Sequence, residues 1–490
     1  MGPIPINPDP PPFDLAIDLP ARGSRQVGRD LHRQLRSAIV GGRLQPGVRL
    51  PATRELAAAL EVSRNTVVTA YDLLLSEGYV RAQGRGGTIV ADFLSPPSRA
   101  ERTKAEPARD ARLTPVWRAP SSLIAIGRPE GCRFDFSVGM PDWESFPLAV
   151  WRRLSARALR AAAKAPAGYG DPEGRPELRE AIARHISFAR AIACSAGEIV
   201  VTAGAQQAFD LIARILVTPG KTTVAVEEPG YPPLRNVLSA AGAKLVSVPV
   251  DSEGIRVDRL PRNAKVICVT PSHQFPLGVH LSLARRKALL DFARAHGAVI
   301  VEDDYDGEFR YAGKPLDALQ TLDRGEAVFY VGTFSKSLFP ALRLGFVIAP
   351  PWARHSLVAA KQLSDWHAPL VAQDILSAFI SEGHLARHVR KMRRLYSERR
   401  EILQNALQRF CGRHLRVVGI GAGLHLATYL DHSLSASDLI DRAREAGIVL
   451  DAMQRFSAAD RKSEGLVFGY GAIGSRRIAD AVRRLAGLMN

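Results

Sequence analysis

The sequence has few cysteines and lysines and no long apolar run. Its four cysteines are scattered, with no CxxC pair: Cys132, Cys194, Cys268 and Cys411. This spacing argues against a disulfide framework, gives no reason to predict a metal site, and fits a reducing compartment. No stretch reaches about 18 apolar residues, so no membrane-spanning helix is expected. The start, MGPIPINPDPPP, lacks the apolar core of a secretion signal, so we expect a cytoplasmic protein.

The composition is that of a globular chain of two or three domains, with 490 residues, 46% hydrophobic and 23% charged. The net charge of +17 suggests a polyanionic partner such as nucleic acid, although a solvated basic surface also explains it. Lysine contributes only 11 of the 66 basic residues. A lysine in an unusual setting therefore merits attention.

Composition changes along the chain predict four segments. Residues 1–20 read as a disordered tail, 21–92 as a compact unit, and 93–130 as a linker rich in Pro, Ser, Arg and Ala. From residue 131 to 490, short Val/Ile-rich runs alternate with helical patterns. This alternation predicts an α/β fold with a mostly parallel sheet.

The compact unit reads as three helices followed by a hairpin. Leu31, Leu35 and Ile39 share one face of the first predicted helix. TRELAAALE follows, with Thr53 as its predicted N-cap, and Ser63 is predicted to cap SRNTVVTAYDLLLSEG. YVRAQGRGGTIVAD then gives two short strands. This is the layout of a winged helix-turn-helix, whose third helix enters the major groove, although a protein-interaction module with a hairpin has the same layout.

Residues suited to DNA begin the third predicted helix. They are short polar donors and one guanidinium: Ser63, Arg64, Asn65 and Thr66. At the wing tip, Arg85 can approach a phosphate or the minor groove. The run RLPATRELAAALEVSRNTVVTAYDLLLSEGYVRAQGRGGTIV resembles GntR-type regulators. That resemblance implies DNA contacts from Arg54, Ser63, Arg64, Thr66 and Gly86.

Five predicted strands of the large segment end in small, polar, aromatic or charged residues. The strands are 198–202, 223–227, 265–269, 298–302 and 327–331. They are followed by AGAQQAFD, EPGYPP, TPSHQFPLG, DDYDGEF and GTFSKSLFPALRLGF. In open α/β sheets, ligands bind beyond the carboxyl ends of the strands. Five such ends together predict a binding site.

These segments suit a phosphorylated aromatic aldehyde held as an imine. A helix start, which favours a phosphate, is made by Gly204, Ala205 and Gln206. Asp303 and Tyr305 are two residues apart and point the same way if the strand continues. The carboxylate could hold a pyridinium proton and the phenol could bond the ring oxygen.

Lys336 supplies the predicted reactive amine. It follows a strand, close to hydroxyls and Arg343. A lysine amine can form an imine with an aldehyde, whereas a guanidinium cannot. Taken singly, each feature has a plainer interpretation: a solvated loop lysine, a turn, or an ordinary helix start.

From about 131 to 490 the chain resembles fold-type I pyridoxal-phosphate enzymes of the aspartate aminotransferase group. The resemblance lies in GMPDWESFP, YGDPEG, TAGAQQAF, EPGYP, VEDDYDGEFRY and GTFSKSLFPALRLGF. Combined with the winged helix, the chain is similar to the MocR subgroup of GntR-type regulators. This implies pyridoxal 5′-phosphate as cofactor, operator DNA as partner, and a homodimer.

The resemblance also implies residue roles. Lys336 would carry the cofactor as the internal aldimine, Asp303 would pair with the pyridine nitrogen, and Tyr305 would bond the ring hydroxyl oxygen. Tyr231 would stack on the ring, and Tyr169 would reach the phosphate of a partner subunit. The phosphate would be held by Ala205, Gln206, Thr333, Ser335 and Arg343.

Two positions depart from the enzymes. Where aminotransferases have Asn-Pro-x-Gly, this chain has Phe275, which cannot bond the ring oxygen, so that contact would depend on Tyr305, Gln274 or His273. Val467 occupies the position of the arginine that binds the substrate carboxylate. The second departure argues against efficient transamination of ordinary amino acids.

The sequence therefore predicts a transcription regulator whose winged helix binds an operator. Its large domain would sense pyridoxal phosphate, or an amine or amino-acid-like effector that frees Lys336 and so changes DNA affinity. One alternative is a working aminotransferase with an accessory DNA-binding module. Another is a DNA-binding protein whose large domain has lost its cofactor.

Overall fold

The computed structural model describes residues 17–19, 26–83, 87–92, 112–118, 131–164, 168–311, 317–323, 326–419, 421–431, 433–458 and 464–489. The chain divides into two compact units, Met1–Thr114 and Pro115–Asn490. The division falls inside the segment predicted as a linker. The predicted domain bounds of 21–92 and 131–490 remain predictions.

The small unit contains three helices and a two-stranded antiparallel hairpin, as predicted. These are α1 (Val27–Val40), α2 (Thr53–Ala59), α3 (Arg64–Ser76), β1 (Val80–Ala82) and β2 (Thr88–Val90). Leu31, Leu35 and Ile39 of α1 are buried. They pack in one apolar cluster with Val67 and Leu74 of α3. The wing residues Arg85 and Gly86 lie outside the described residues.

Two local predictions for this unit differ in outcome. Ser63 caps α3 as predicted, since its Oγ accepts a hydrogen bond from the Thr66 amide at 3.1 Å. The prediction for Thr53 is wrong, because Thr53 is the first helical residue and Ala52 is the N-cap. The Glu55 carboxylate accepts from the Ala52 amide at 3.1 Å, which supplies a cap bond without a hydroxyl at position 53.

Part of the predicted tail lies against the small unit. The Asp18 amide donates a hydrogen bond to Gln34 Oε1 of α1 at 3.0 Å. Ile17 and Leu19 pack at the edge of the small unit's apolar cluster. Two apolar side chains on either side of a bonded residue explain why this piece of the Pro-rich segment is ordered.

The large unit alternates helices and strands. Its helices are α4 (Pro115–Arg118), α5 (Leu148–Ala162), α6 (Pro176–Arg190), α7 (Ala205–Leu216), α8 (Pro232–Ala240), α9 (Leu283–His296), α10 (Leu319–Leu322), α11 (Pro351–Asp365), α12 (Leu370–Ser381), α13 (His384–Cys411), α14 (Ala436–Glu445) and α15 (Ser475–Gly487). Its strands are β3 (Phe134–Asp135), β4 (Ile199–Thr202), β5 (Thr223–Glu228), β6 (Lys244–Asp251), β7 (Gly254–Ile255), β8 (Val266–Val269), β9 (Val299–Asp304), β10 (Val328–Thr333), β11 (Gly345–Ile348), β12 (Leu415–Val418), β13 (His425–Leu430), β14 (Ile448–Val449), β15 (Asp451–Ala452) and β16 (Gly465–Gly469).

An eight-stranded, mostly parallel sheet forms the centre of the unit, in the order β4-β11-β10-β9-β8-β5-β6-β7. The run β10-β9-β8-β5-β6 is parallel throughout, and the five predicted strands are all present within it or at β4. Alternate strand residues face opposite apolar clusters: Val224 and Val226 lie on one side and Ala225 on the other. Burial of both faces explains the continuous Val/Ile runs.

A smaller antiparallel sheet, in the order β12-β13-β16-β15, lies in the C-terminal part of the unit. The long helix α13 leads into it, and α15 packs on α13. The elements thus follow the predicted order, a winged-helix layout and then an α/β unit with a mostly parallel sheet. None of the helices in the described part of the chain is long and apolar enough to cross a membrane.

Candidate functional site

The candidate site lies at one edge of the large sheet. Because β11 is antiparallel to both β4 and β10, strand β4 runs in the same direction as β5, β8, β9 and β10. The carboxyl ends of these five strands therefore meet at one edge. The segments that follow them bring Tyr231, His273, Asp303 and Lys336 into one region, where Asp303 acts electrostatically on both Tyr231 and Lys336.

Lys336 presents a half-buried amine to this region. Its Nζ donates a hydrogen bond to the Gly139 carbonyl oxygen at 2.7 Å. Burial lowers the pKa of the amine, while the carboxylates of Asp306 and Asp303 oppose that shift. A lowered pKa increases the share of the neutral amine, which is the form that attacks a carbonyl.

Asp303, near the end of β9, is 3% exposed. Its Oδ1 has no hydrogen-bond partner among the described residues. Burial, with the neighbouring carboxyls of Asp304 and Asp306, raises the pKa of Asp303 well above its usual value, and Lys336 opposes this. A buried carboxylate oxygen without a partner is costly, so a protonated ligand nitrogen would be bound favourably here.

The two neighbouring acids already have partners. Asp304 Oδ2 lies 2.6 Å from Arg190 Nε and accepts a hydrogen bond from the Tyr330 hydroxyl at 2.6 Å. Asp306 Oδ2 lies 2.9 Å from His273 Nδ1. Asp304 Oδ1 also has no partner, but among the described residues Asp303 is the one of the three whose carboxyl forms no ion pair or hydrogen bond at all, so it is the best placed to bind a ligand.

Tyr305 belongs to a buried network with His273. Its hydroxyl donates to the His273 carbonyl oxygen at 2.9 Å and lies 2.9 Å from Nδ1 of the same residue. Burial raises the pKa of Tyr305 well above its usual value, as do the carboxylates of Asp306 and Asp303. The phenol is thus held in its protonated form, and the dyad of His273 and Asp306 fixes its position.

His425 of β13 completes this network from the far end of the chain. Its ring centroid lies 4.7 Å from that of His273, and its Nε2 lies 3.1 Å from the Pro276 carbonyl oxygen. Ligand-type atoms of His273, Asp306 and His425 all lie within 4.8 Å of one another, a spacing that would also suit a metal ion. The sequence spacing gave no sign of this cluster.

The side-chain amide of Gln274 already has hydrogen-bond partners, none of which is Tyr305 or Lys336. Its Nε2 donates to the carbonyl oxygens of Phe275 at 2.7 Å and Pro229 at 2.9 Å, and lies 3.3 Å from Glu227 Oε2. Glu227 also accepts from the Thr270 hydroxyl at 2.6 Å, and burial raises the pKa of its carboxyl to about 7. Of the three predicted replacements for the missing Asn, this favours Tyr305 and His273 over Gln274.

A cradle for an anion forms where β4 meets α7. Gly204 has φ of +78°, and a Cβ there would lie 3.1 Å from the Arg343 guanidinium. Arg343 donates to the Ala203 carbonyl oxygen at 2.6 Å and is exposed, so its other donors face outward. Ala205 and Gln206 open α7, where free amide groups favour a phosphate.

Two hydroxyls predicted to hold the phosphate follow β10. Thr333 Oγ1 donates to Ser335 Oγ at 3.0 Å and accepts from the Ser335 amide at 3.2 Å. This pair turns the chain sharply just before Lys336. The two hydroxyls are brought together, but their contact with an anion remains a prediction.

The two remaining predicted tyrosines differ in setting. Tyr231 is half-buried and packs edge-on against Phe275, with ring centroids 5.3 Å apart. Tyr169 is 80% exposed and stacks on Trp366 at 4.9 Å. Its hydroxyl is available to a second copy of the chain, which is compatible with the predicted contact across a dimer.

The residues present fit pyridoxal phosphate. The free Asp303 oxygen suits a protonated ring nitrogen, and the Lys336 amine suits an aldehyde. At Gly139, φ is +80° and a Cβ would lie 2.7 Å from Lys336 Nζ, so a side chain there would collide with the amine. The glycines at 139 and 204 thus keep open the spaces that a ring and a phosphate require.

Sequence reasoning missed several residues of this site. Gly139 and Asp306 lie inside motifs that the sequence analysis quoted, but their spacing along the chain does not show what they touch. His425 lies on a strand of the small sheet, and no local pattern connects it with His273. Only the packing of the two sheets brings them together.

The DNA-binding residues predicted in the small unit fall into two groups. Arg54, Arg64 and Asn65 have exposed side chains at the starts of α2 and α3. Ser63 and Thr66 bond each other through their hydroxyls at 2.8 Å, in addition to the cap bond of Ser63. The hydroxyls thus shape the start of α3, while the longer side chains are free to reach a ligand.

Comparisons with known proteins agree with both units. Residues 134–467 match the family "Aminotransferase class I and II", and residues 28–90 match "Bacterial regulatory proteins, gntR family". The chain is 36% identical to the probable rhizopine catabolism regulatory protein MocR of Rhizobium meliloti, over 93% of this chain and 92% of that protein. It is 33% identical to the pyridoxine biosynthesis transcriptional regulator PdxR of Corynebacterium glutamicum, over 94% and 95%.

A solved enzyme structure shares the fold of the large unit. LysN, an α-aminoadipate aminotransferase from Thermus thermophilus, superposes with a TM-score of 0.68 at 30% identity. The match covers 74% of this chain and 92% of the enzyme, so the enzyme accounts for the large unit alone. The regulators match nearly the whole chain, which favours the regulator over the alternative of a working aminotransferase. The chain therefore belongs to the MocR-type regulators of the GntR family, in which a winged helix is joined to an aminotransferase class I and II domain.

Proposed function

We propose that this protein is a cytoplasmic regulator that reports the state of a bound cofactor to operator DNA. Its large unit would hold pyridoxal phosphate, and the signal would be that cofactor or an amine or amino-acid-like effector that reacts with it. When bound, the cofactor supplies an aldehyde and an electron-accepting ring. The observation that carries the proposal is the half-buried Lys336 amine near the partnerless buried oxygen of Asp303.

The protein's own groups would hold the cofactor at four points. The Asp303 carboxylate would accept a hydrogen bond from the protonated ring nitrogen, which gives its free oxygen a partner. Tyr305, positioned by His273, would face the ring oxygen. Arg343 and the start of α7 would neutralise the phosphate charge. Lys336 would provide the covalent attachment.

A chain of contacts leads from Lys336 to α13. Lys336 Nζ bonds the Gly139 carbonyl, and three residues further the Asp142 amide donates to the Tyr396 hydroxyl at 2.8 Å. The Asp142 carboxylate also forms a buried ion pair with Arg399. An effector that displaces Lys336 from the cofactor would return the amine to Gly139. The segment after Gly139 is therefore the element through which we expect the signal to leave the site.

We further propose that the protein acts as a homodimer. The exposed stack of Tyr169 on Trp366 would then meet the second copy. A phenol supplied across the interface would make each cofactor site depend on dimer formation. Sedimentation of Tyr169→Phe beside the native protein tests this, since we expect an unchanged dimer with weaker cofactor affinity.

The central experiment measures cofactor uptake and DNA affinity together. The native protein is titrated with pyridoxal phosphate by absorbance, reduced with borohydride, and assayed on a duplex selected by the protein from a random-sequence pool. We expect an adduct at Lys336 and a DNA affinity that changes when cofactor or candidate amines are added. Lys336→Ala should lose both responses, whereas Lys287→Ala, which removes an exposed lysine of α9, should keep them. A protein that takes up no cofactor would contradict the proposal.

A further inference from the structure

The basic excess of the chain lies mainly in the large unit. Residues 115–490 carry 50 Lys and Arg against 37 Asp and Glu, which accounts for +13 of the net +17. The small unit, which carries the winged helix, contributes only the remaining +4. The positive charge that suggests a polyanion is therefore not explained by the winged helix alone.

Part of this charge lines one groove on α13. The groove encloses about 370 Å³ and is lined by Arg387, Arg390, Lys391, Arg394, Leu395 and Glu398. Four of these residues are cations and one is an acid. They recur at helical spacing on the exposed face, while Leu385, Val389 and Met392 bury the opposite face.

Two of the four cations of the groove lack partners among the described residues, whereas Arg387 donates to the Glu382 carbonyl oxygen and Lys391 to the Ser145 carbonyl oxygen. Elsewhere on the unit, several exposed arginines pair with an acid one helical turn away, as Arg214 does with Asp210. Arg390 and Arg394 form no ion pair or hydrogen bond with any residue in the described part of the chain. Like charges three and four residues apart repel and weaken a helix. Such an arrangement is expected where an anionic ligand compensates for the repulsion.

The dimensions of the groove fit a nucleic-acid backbone. From Arg387 to Arg394 the helix rises about 10 Å, at about 1.5 Å per residue. Along one DNA strand, phosphates follow at about 3.4 Å of axial rise, so this face spans about three of them. Guanidinium groups bind phosphate oxygens in a bidentate manner.

We propose that this groove on α13 is a second DNA-contacting surface, which binds backbone phosphates without reading sequence. The proposal rests on the DNA binding assigned to this family. DNA is favoured over an acidic polypeptide because a duplex held by the winged helix is already at high effective concentration near the rest of the chain. The groove would then add affinity and salt dependence but no base specificity.

The test measures how DNA affinity falls with salt. A long random-sequence duplex is titrated at several salt concentrations with the native full-length protein and with the double variant Arg390→Ala/Arg394→Ala. Each lost phosphate contact should reduce the slope of log affinity against log salt by about 0.9, so the variant should lose up to about 1.8. The matched control is Arg262→Ala/Arg476→Ala, which removes two exposed arginines without a partner among the described residues. We expect its slope to equal that of the native protein.

Further variants separate the possible outcomes. Arg390→Lys/Arg394→Lys keeps the charges and should keep the slope, which shows that any loss in the alanine variant is not a folding defect. If Arg64→Ala weakens binding but the groove variant has the control's slope, the groove proposal is overturned while the winged-helix assignment stands. An unchanged DNA slope together with groove-dependent binding of a poly-glutamate peptide would also overturn it, in favour of an acidic polypeptide.

Discussion

Gly139→Ala is expected to weaken cofactor capture while leaving the protein folded. A Cβ at this position would lie 2.7 Å from Lys336 Nζ and 3.5 Å from Cε, whereas ordinary contact begins at 3.4 Å. The amine sits at the end of a flexible side chain, so it can move aside. The amine nitrogen is also the atom that reacts with the cofactor, so displacing it weakens cofactor attachment and leaves the packing of the apolar core unchanged.

The magnitude follows from the rotamer strain of Lys336 when it must reach the cofactor past the added methyl group. This strain costs roughly 0.5–1.5 kcal/mol, which corresponds to a loss of cofactor affinity of about two- to twelvefold. Because φ at residue 139 is +80°, alanine also adds roughly 1–2 kcal/mol of backbone strain, which affects the stability of the fold.

Gly297→Ala is the matched control for the backbone strain. Gly297 has φ of +59° at the end of α9, and a Cβ there would meet nothing within 4 Å. Both variants should lower the melting temperature to a similar degree. In an absorbance titration with pyridoxal phosphate, Gly297→Ala should bind as the native protein does. If Gly139→Ala also binds with native affinity, the placement of the amine against residue 139 is wrong.

Three further changes should have separable effects. Arg64→Ala should cost about 1–3 kcal/mol of operator affinity in a binding titration and leave cofactor absorbance intact. Tyr71→Phe removes a 2.9 Å bond to the Pro51 carbonyl and should lower small-unit stability by about 1 kcal/mol in thermal unfolding. Because the pKa of Glu227 is raised to about 7 in the folded protein, its contribution to the free energy of unfolding is fully present below about pH 4.5 and is lost as pH rises through about 7. Glu227→Gln should therefore remove roughly 3 kcal/mol of pH dependence from the free energy of unfolding measured between these pH values.

The fold could be predicted from the sequence because its signals are local. Continuous Val/Ile runs marked the five strands to within one or two residues, since strands buried on both faces leave no polar alternation. The first helix of the small unit and its buried face could likewise be predicted from the spacing of Leu31, Leu35 and Ile39. The prediction of Thr53 as the N-cap was wrong because a carboxylate three residues after the N-cap can supply a cap hydrogen bond in place of a hydroxyl. The residue types alone do not distinguish these two kinds of cap.

The site was less predictable because its contacts are not local. Three acids, Asp303, Asp304 and Asp306, lie on one short segment. Only the structure shows that Arg190 of α6 pairs with Asp304 and that His273 bonds Asp306. Which carboxylate stays free for a ligand is thus decided by residues more than thirty positions away along the chain. His425 could not be anticipated at all, because it reaches the site through the pairing of a separate sheet.

The two positions at which the sequence departs from the enzymes, Phe275 and Val467, lie together in one part of the structure. Phe275 and Val467 belong to the same buried apolar cluster, against which Tyr231 and Tyr305 pack. By the resemblance, these are the positions where aminotransferases place an amide for the ring oxygen and a guanidinium for the substrate carboxylate. An apolar wall at this point offers a carboxylate no partner and makes its desolvation costly. We therefore expect slow or no turnover when the pure protein is incubated with amino acids and keto acids, even where an amine displaces Lys336 from the cofactor. Rapid transamination in that assay would mean that another cation binds the substrate carboxylate and that the apolar wall does not prevent turnover.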